Sequence, residues 1–359
     1  MDRFDQSAKV LIALQCIEEL SGKKKTALLE EFDEPSELKE AFARGIVQKI
    51  LGDHANEFYE KLGKIDGILE DLQKREIHWL TYLDEDYPGE LCDVYDKPIA
   101  LFLKGNTDAL KMRKIAVVGT RRPTRYGAKV AEEFSREFAR AGLCIVSGFA
   151  RGVDGISHKA CVDNGSATIA VFACGLDVVY PAEHRGLMDG ILANGGLLLS
   201  EYPLGTKPLQ YHFPDRNRIV SGLSEAVFLP QAAKKSGSLI TMRLAIEQGK
   251  EIFVVPGNIY DEENAGGNEL LREMPHALAI SPEDVLDALH IQREVVEKEP
   301  VQLSMIESQI LDCLHDGEKH FEELLADTSL NVADLTNVLF NLEIDGLIIK
   351  SAGNYYALA

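Results

Sequence analysis

The chain has 359 residues, with 58 Asp and Glu side chains against 38 Lys and Arg, and its formal net charge at pH 7 is −20. Its hydrophobic content of 45% and charged content of 27% are ordinary for globular proteins, which excludes wholesale disorder and favours two or three domains. No apolar run reaches the roughly 18 residues of a membrane-spanning helix, and the N-terminal stretch lacks the small-residue cleavage site of a signal peptide. We therefore expect a cytoplasmic protein without a membrane partner.

Charge is distributed unevenly along the chain. Residues 111–159 carry 11 basic and 4 acidic side chains, whereas residues 291–359 carry 4 basic and 13 acidic ones. Because salt screens charges beyond about 8–10 Å, one basic surface on an acidic protein can still bind phosphate groups. Charge counts alone favour the simpler interpretation of a solvated surface, so the motifs have to decide between the two.

The first 70 residues have the spacing of amphipathic helices. Apolar residues recur every three or four positions within 10–20 and again within 38–50, and glycine or proline interrupts the pattern between them. This predicts a small helical domain at residues 1–70.

The middle of the chain alternates short apolar runs with helical patterns, within a predicted domain at residues 71–291. The predicted strands are 115–118, 143–146, 168–172, 197–199, 226–229, 251–255 and a weaker 278–280. The predicted helices between them include 127–141, 152–163, 185–194 and 238–248. This alternation predicts βαβ units, and hence an α/β fold with a mostly parallel sheet whose ligands bind beyond the carboxyl ends of the strands.

The C-terminal part follows a charged segment, 292–302, that has no core pattern and is predicted to be a linker. Residues 303–359 show three helical patterns and then two short strands, 347–350 and 355–358, around a Gly-Asn turn, which predicts a winged-helix domain. Between His320 and Ile349 there are six acidic residues and no Lys or Arg. Because a DNA-reading helix needs basic residues, we expect this domain to contact protein or to regulate, not to bind DNA.

Two of the predicted strand-end loops carry arginines beside glycine. The loop after the first parallel strand holds Arg121, Arg122 and Arg125 next to a helix N-terminus, where free N–H groups and the helix dipole favour an anion. The loop after the second strand holds Gly148 and Arg151. The alternative is that some of these arginines pair with local acids, although for Arg121 an anion contact is favoured.

Two further loops add aromatic rings and small polar groups. Phe213 precedes Arg216, Asn217 and Arg218, and this mixture suits unpaired bases, which stack on aromatic faces while guanidiniums hold phosphates. Alternatively, Phe213 packs into the core and an arginine braces the loop, and for Arg218 the two roles are equally open.

The last loop is predicted to cradle a phosphate, with Ser238 as the N-cap of a helix. Its residues are Lys235, Ser236, Gly237, Ser238 and Thr241.

No catalytic, metal or cofactor site is predicted. The chain contains no G-x-S-x-G, H-E-x-x-H or Walker motif, its six cysteines form no C-x-x-C pair, and the loop carboxylates are single and separated. The first loop also lacks the G-x-G-x-x-G pattern of dinucleotide sites. The loops are therefore expected to hold phosphates without cutting them.

Taken together, these strings resemble the DNA-processing protein A (DprA/Smf) family over roughly residues 77–280. The matching segments occur in the family's order and are VVGTRRPTRYG, SGFARGVDGISHKA, ATIAVFACGLDVVYP, HFPDRNRIVSGLS, SGSLITMRLAIEQGKEIFVVPGN and the upstream YPGEL…DKPIALFLKG. The resemblance implies an extended Rossmann-like sheet, with an N-terminal helical domain of the sterile-alpha-motif type and a C-terminal winged helix.

The resemblance also implies a function without catalysis. Family members bind incoming single-stranded DNA during natural transformation, protect it and load the RecA recombinase for homologous recombination, typically as homodimers through the Rossmann-like domain. The family's motif positions fall here on Arg121, on Phe213, Arg216 and Arg218, and on residues 236–241. The alternative is a nucleotide-binding enzyme or sensor of the phosphoribohydrolase-like Rossmann group.

The sequence departs from the family pattern in three places. Ala182 and Glu183 stand where members often have a basic residue, and His184 stands in place of an Asn. The family's acidic residue after the fifth strand is replaced around Pro230 and Gln231. The run AGGNELLREMPHAL also differs from the usual one, in a region that members use for self-association, so dimerisation is a weaker expectation than the fold.

Overall fold

The structure is a computed structural model that describes residues 3–17, 20–40, 43–291, 303–315, 317–328, 330–344, 347–351 and 353–358. The chain divides into two compact units, Met1–Arg293 and Glu294–Ala359. The predicted linker, 292–302, lies outside the described residues. No helix of the described residues is long and apolar enough to cross a membrane.

Helices fill the N-terminal region, as its apolar spacing predicts. They are α1 (Arg3–Gln15), α2 (Gly22–Leu29), α3 (Ala43–Leu51), α4 (His54–Gly63) and α5 (Ile65–Lys74). Fully buried side chains such as Leu14 and Phe58 belong to the same hydrophobic cluster as Phe102 and Phe172 of the sheet. The helices therefore pack on the sheet within the first unit.

An eight-stranded sheet forms the centre of the first unit. Its strands are β1 (His78–Thr81), β2 (Ala100–Gly105), β3 (Lys114–Val117), β4 (Cys144–Ser147), β5 (Thr168–Phe172), β6 (Leu197–Ser200), β7 (Ala226–Leu229) and β8 (Glu251–Val254). The strand order is β1-β2-β6-β5-β4-β3-β7-β8. Within this order, the six strands β6, β5, β4, β3, β7 and β8 run parallel to one another. Strand β2 pairs antiparallel with β6, and β1 pairs antiparallel with β2.

Helices cover both faces of this sheet. They are α6 (Arg125–Arg140), α7 (Val153–Asp163), α8 (Arg185–Ala193), α9 (His212–Gly222), α10 (Ser238–Glu247), α11 (Ala265–Glu273) and α12 (Pro282–Ala288). Along β3, Ile115 packs with α6 and α12, whereas its neighbour Ala116 packs with α9 and α10. Strands buried on both faces explain the continuous apolar runs of the sequence, and the predicted α/β class is confirmed.

Three details differ from the sequence-based prediction. The predicted strand at 278–280 is wrong, because only a single bridge joins Leu278 to Val254. Pro275 and Pro282 bracket this run and leave no length for a ladder. Strands β1 and β2 and helix α9 were not predicted, since their residues lie among charged and turn-forming positions.

The second unit is a winged helix, as predicted. It contains α13 (Met305–Leu314), β9 (Lys319–His320), α14 (Phe321–Thr328), α15 (Val332–Ile344), β10 (Ile348–Ser351) and β11 (Tyr355–Leu358). The three strands form an antiparallel sheet in the order β10-β11-β9. The core of the second unit is built from apolar side chains of the three helices and the hairpin, including Ile310, Leu324, Leu339 and Ile348.

Candidate nucleic-acid interface

The candidate site lies at the switch point of the sheet, where the chain passes from β4 on one side of β3 to β7 on the other. Loops that leave such neighbouring strands in opposite directions open a crevice at their carboxyl ends. A cavity of about 810 Å³ occupies this position. Ten of the thirteen predicted site residues line it, namely Arg121, Gly148, Phe213, Arg216, Asn217, Lys235, Ser236, Gly237, Ser238 and Thr241.

The loop after β3 is fixed by its neighbours while its arginines stay exposed. The Thr120 N–H donates to the Gln231 carbonyl at 3.0 Å, and the Thr120 carbonyl accepts from the Val153 N–H at 3.2 Å. Gly152 has φ +75°, and a Cβ there would overlap the backbone of Thr120 and Arg121. Arg121 is exposed and forms no salt bridge with any described residue. The backbone is thus rigid where the side chain is free to reach a ligand.

Arg121 and Phe213 meet at the rim of the cavity. The Arg121 Cζ lies 5.1 Å from the centroid of the Phe213 ring, which is a cation–π contact. The Phe213 ring is half-buried, and the exposed Tyr180 ring lies 5.8 Å from it at an angle of 58°. Phe213 is therefore not a core residue. Two rings and one guanidinium form a surface on which a flat, unpaired base can stack.

Helix α9 presents residues to this cavity from one of its sides. Phe213, Arg216, Asn217 and Val220 line the cavity at the i, i+3, i+4, i+7 spacing of a helical face. Pro214 falls in the first turn of the helix, where a missing N–H costs nothing. This spacing was the sequence signal for α9. The helix was not predicted from it, because a proline and three charged residues interrupt the apolar pattern.

Arg216 lies beneath the cavity and is almost completely buried, with 3% of its surface exposed. Its guanidinium donates hydrogen bonds to the carbonyls of Gly148 and Val171 and so ties α9 to the ends of β4 and β5. A Cβ at residue 148 would overlap this guanidinium, which explains the glycine. Arg216 thus lies beneath the site and positions the loops around it. The predicted contact of Arg216 with a phosphate stays a prediction.

Asp154 is the single carboxylate among the described residues that line the cavity. Burial raises its pKa, while the positive charge of Arg216 acts in the opposite direction. Its Oδ2 accepts a hydrogen bond from the Ala150 N–H at 3.2 Å, so it braces the loop after β4. A lone, engaged carboxylate lacks the partner that paired acid–base chemistry requires.

Three predicted residues lie outside the cavity lining. Arg218 is two positions after Arg216 and therefore points to the other side of α9, where its Nη2 lies 2.7 Å from Glu201 Oε1. Both side chains of this pair are about 10% exposed, so Arg218 braces α9 through a buried ion pair, and its DNA contact stays a prediction. Arg151 forms an exposed salt bridge with Glu183, which lowers the pKa of that carboxyl. Arg122 is exposed on the loop after β3.

The N-terminus of α10 supplies the small polar groups of the site. The predicted N-cap is wrong by one position: α10 begins at Ser238 and its cap residue is Gly237. Ser236 Oγ lies 2.7 Å from Ser238 Oγ, and Lys235 beside them is exposed. Hydroxyls, a lysine and the positive end of a helix dipole in one place suit a phosphate group.

Gln231, at the position of a departure from the family pattern, joins two of these loops. Its side chain is buried, accepts from the Thr124 N–H at 2.9 Å and donates to Asn264 Oδ1 at 2.8 Å. A neutral amide can both donate and accept, which a carboxylate at this place could not do. Thr120 and Tyr180 are among the lining residues that were not predicted, although each lies inside a matching string.

Comparisons with known proteins show the family of this chain. The family model described as DNA recombination-mediator protein A matches residues 78–290, and the DprA winged helix domain matches residues 297–354. The chain is 42% identical to DNA processing protein DprA of Bacillus subtilis, over 70% of this chain and 82% of that protein. It is 35% identical to protein Smf of Escherichia coli, over 80% of this chain and 79% of that protein.

Two solved structures are also similar to this chain. The X-ray structure of DprA from Streptococcus pneumoniae matches with a TM-score of 0.67 and 37% identity, over 78% of this chain and 97% of that one. A structure of Helicobacter pylori DprA, described by its single-stranded DNA binding mode, matches with a TM-score of 0.55 and 35% identity, over 60% of this chain and 96% of that one. This chain therefore belongs to the DNA recombination-mediator protein A family.

Proposed function

We propose that this chain binds single-stranded DNA in the cavity at the switch point of its sheet. The observation that carries the proposal is the Arg121 guanidinium over the Phe213 ring, in one cavity with the N-terminus of α10. This arrangement offers a stacking surface for a base next to donors for its phosphates. Duplex DNA hides the faces of its bases, so such a site selects unpaired strands.

The biological role that we propose is that of a mediator in natural transformation. The chain would protect incoming single strands and load the RecA recombinase onto them, without catalysing a reaction. Family membership and the Helicobacter pylori DprA structure with its single-stranded DNA binding mode support the binding step. Asp154, the single carboxylate among the described lining residues, is already engaged with a backbone N–H, which supports a role without catalysis.

We also propose that the chain acts as a homodimer through its Rossmann-like domain. Large apolar side chains are exposed beside β8, the strand at one edge of the sheet. Ile259 is 78% exposed and Tyr260 87% on the segment that follows β8, and Ile280 is 71% exposed two residues after the bridge from Leu278 to Val254. Burial of such side chains against a second copy is a common driving force for association.

The second candidate function is binding of a small nucleotide, as an enzyme or a sensor. The observation that favours it is the volume of about 810 Å³, which is within the range of small-ligand sites. The same phosphate-binding groups would serve a mononucleotide.

Fluorescence anisotropy of a labelled oligo-dT strand, titrated with the full chain at two salt concentrations, separates the two functions. We expect binding that weakens with salt and that neither duplex DNA nor AMP displaces efficiently. Efficient displacement by AMP, or no binding at low salt, would contradict the single-strand proposal. Release of free base from AMP would then identify an enzyme, and tight AMP binding without turnover would identify a sensor.

A further inference from the structure

One face of α15 in the winged-helix unit is exposed among the described residues. The helix packs on the core of its unit through Leu335, Leu339 and Leu342, which are at most 1% exposed. A second stripe, at i, i+4 and i+8, consists of Val332, Thr336 and Phe340. Val332 is 58% exposed and Phe340 61%, so this stripe presents much of a branched side chain and of an aromatic ring to solvent.

Charge decides what this stripe can bind. The segment from Phe321 to Ile348 contains no Lys or Arg. Glu343 is exposed and lies within one turn of Phe340, while Glu322 and Glu323 are exposed on the preceding helix, α14. In DNA-reading winged helices and related motifs, the helix at this position enters a groove lined by phosphates. An acidic helix repels phosphates, so DNA is a poor occupant.

We propose that the α15 face, defined as Val332, Thr336, Phe340 and Glu343, docks a basic amphipathic helix of a partner protein. Apolar side chains of that helix would cover Val332 and Phe340, and its Lys or Arg residues would pair with Glu343. Recognition of a helix through anchors spaced by one turn is a common mode of peptide binding. Complementary charge would guide the approach and exclude acidic partners.

The test uses the full chain and two labelled synthetic helical peptides. One peptide has leucines on one face and lysines on the other, and the second has glutamates in place of the lysines. We expect the lysine peptide to bind and the glutamate peptide not to bind. Phe340→Ala should weaken the lysine peptide about tenfold, because central aromatic anchors carry most of the energy of such interfaces.

The matched control is Met305→Ala, which removes another exposed apolar side chain of the same unit, 91% exposed on α13. It should leave peptide binding unchanged, which separates α15 from attraction to the acidic chain in general. Circular dichroism of both variants verifies that they fold. Affinity for oligo-dT should be equal in both variants and the parent, so a failure here is distinguishable from a failure of the proposed DNA site.

Three results would overturn the proposal. Equal binding of the lysine peptide by Phe340→Ala and the parent would show that the α15 face is not the docking site. Conversion of a dimer to a monomer by Phe340→Ala alone, measured by light scattering, would identify a second copy of this chain as the occupant. Loss of duplex DNA binding in the same variant would show that α15 reads DNA.

Discussion

The guanidinium of Arg121, on the loop after β3, lies over the ring of Phe213, on the first turn of α9, with 5.1 Å between Cζ and the ring centroid. This contact places a phosphate-binding group and a base-stacking surface side by side. Neither residue depends on the other for its backbone position, because the loop is held by Gln231 and Val153 and the helix by Arg216. The pair is therefore open to separate tests.

Replacement of Arg121 by alanine should weaken single-strand binding by roughly 1–3 kcal/mol. It should also make the plot of log affinity against log salt concentration shallower, by about the contribution of one phosphate contact. The reason is that Arg121 is exposed and free of salt bridges within the described residues. Anisotropy of labelled oligo-dT over a series of salt concentrations measures both quantities. Arg140→Ala, which removes an exposed arginine at the far end of α6, is the control. If both variants bind like the parent, Arg121 does not belong to the site.

Replacement of Phe213 by alanine should cost a similar free energy, roughly 1–3 kcal/mol, through lost stacking. Its salt dependence should stay that of the parent, because no cation is removed. Phe213→Trp should retain most of the affinity in the same titration, since it keeps a stacking ring. The control is Tyr95→Ala, which removes an aromatic ring that is 73% exposed on the segment between β1 and β2. A change in salt slope without loss of affinity would argue against stacking.

Replacement of Glu183 by glutamine should strengthen single-strand binding. Glu183 holds Arg151 in a salt bridge on the loop that follows β4. The variant removes one negative charge and frees one guanidinium, so we expect an affinity gain of roughly two- to threefold at low salt and a steeper salt dependence. Glu137→Gln, which releases Arg140 on the far part of α6, should change neither. An unaltered slope in Glu183→Gln would leave Arg151 outside the DNA path.

Replacement of Glu201 by alanine should destabilise the first unit by about 3–5 kcal/mol, because it leaves Arg218 buried without its carboxylate. Denaturation followed by the fluorescence of Trp79, the single tryptophan of the chain, reports on the first unit alone. The double variant Glu201→Leu with Arg218→Met should lose less, since neither member of the buried pair is left without the other. If the double variant binds oligo-dT more weakly than the parent under conditions in which both proteins are fully folded, Arg218 contacts DNA.

The sequence was sufficient to predict the parallel strands and the loops at their ends. Runs such as 168–172 are buried on both faces, and that burial is the physical cause of their uninterrupted apolar composition. The connection between these runs and the cavity follows from topology, because parallel strands end at one edge of the sheet. Lining residues on four separate loops could therefore be predicted together.

The sequence could not distinguish Arg216 from Arg218. The two arginines are one residue apart in the same motif, yet their side chains leave α9 in opposite directions, one to the carbonyls of Gly148 and Val171 and the other to Glu201. Their partners come from β4, β5 and the end of β6, which are distant in sequence. The prediction of the N-cap of α10 was wrong for a local reason, because Gly237 takes the cap position ahead of Ser238.

Photocrosslinking would show whether single-stranded DNA lies in the cavity at the switch point. An oligo-dT strand with 5-iododeoxyuridine at each position in turn would be bound to the full chain and irradiated, and the attached residues identified by mass spectrometry. We expect crosslinks to Phe213 and Tyr180 that disappear when excess unlabelled oligo-dT is added. Crosslinks confined to other surfaces, with none at either ring, would contradict this placement of the DNA.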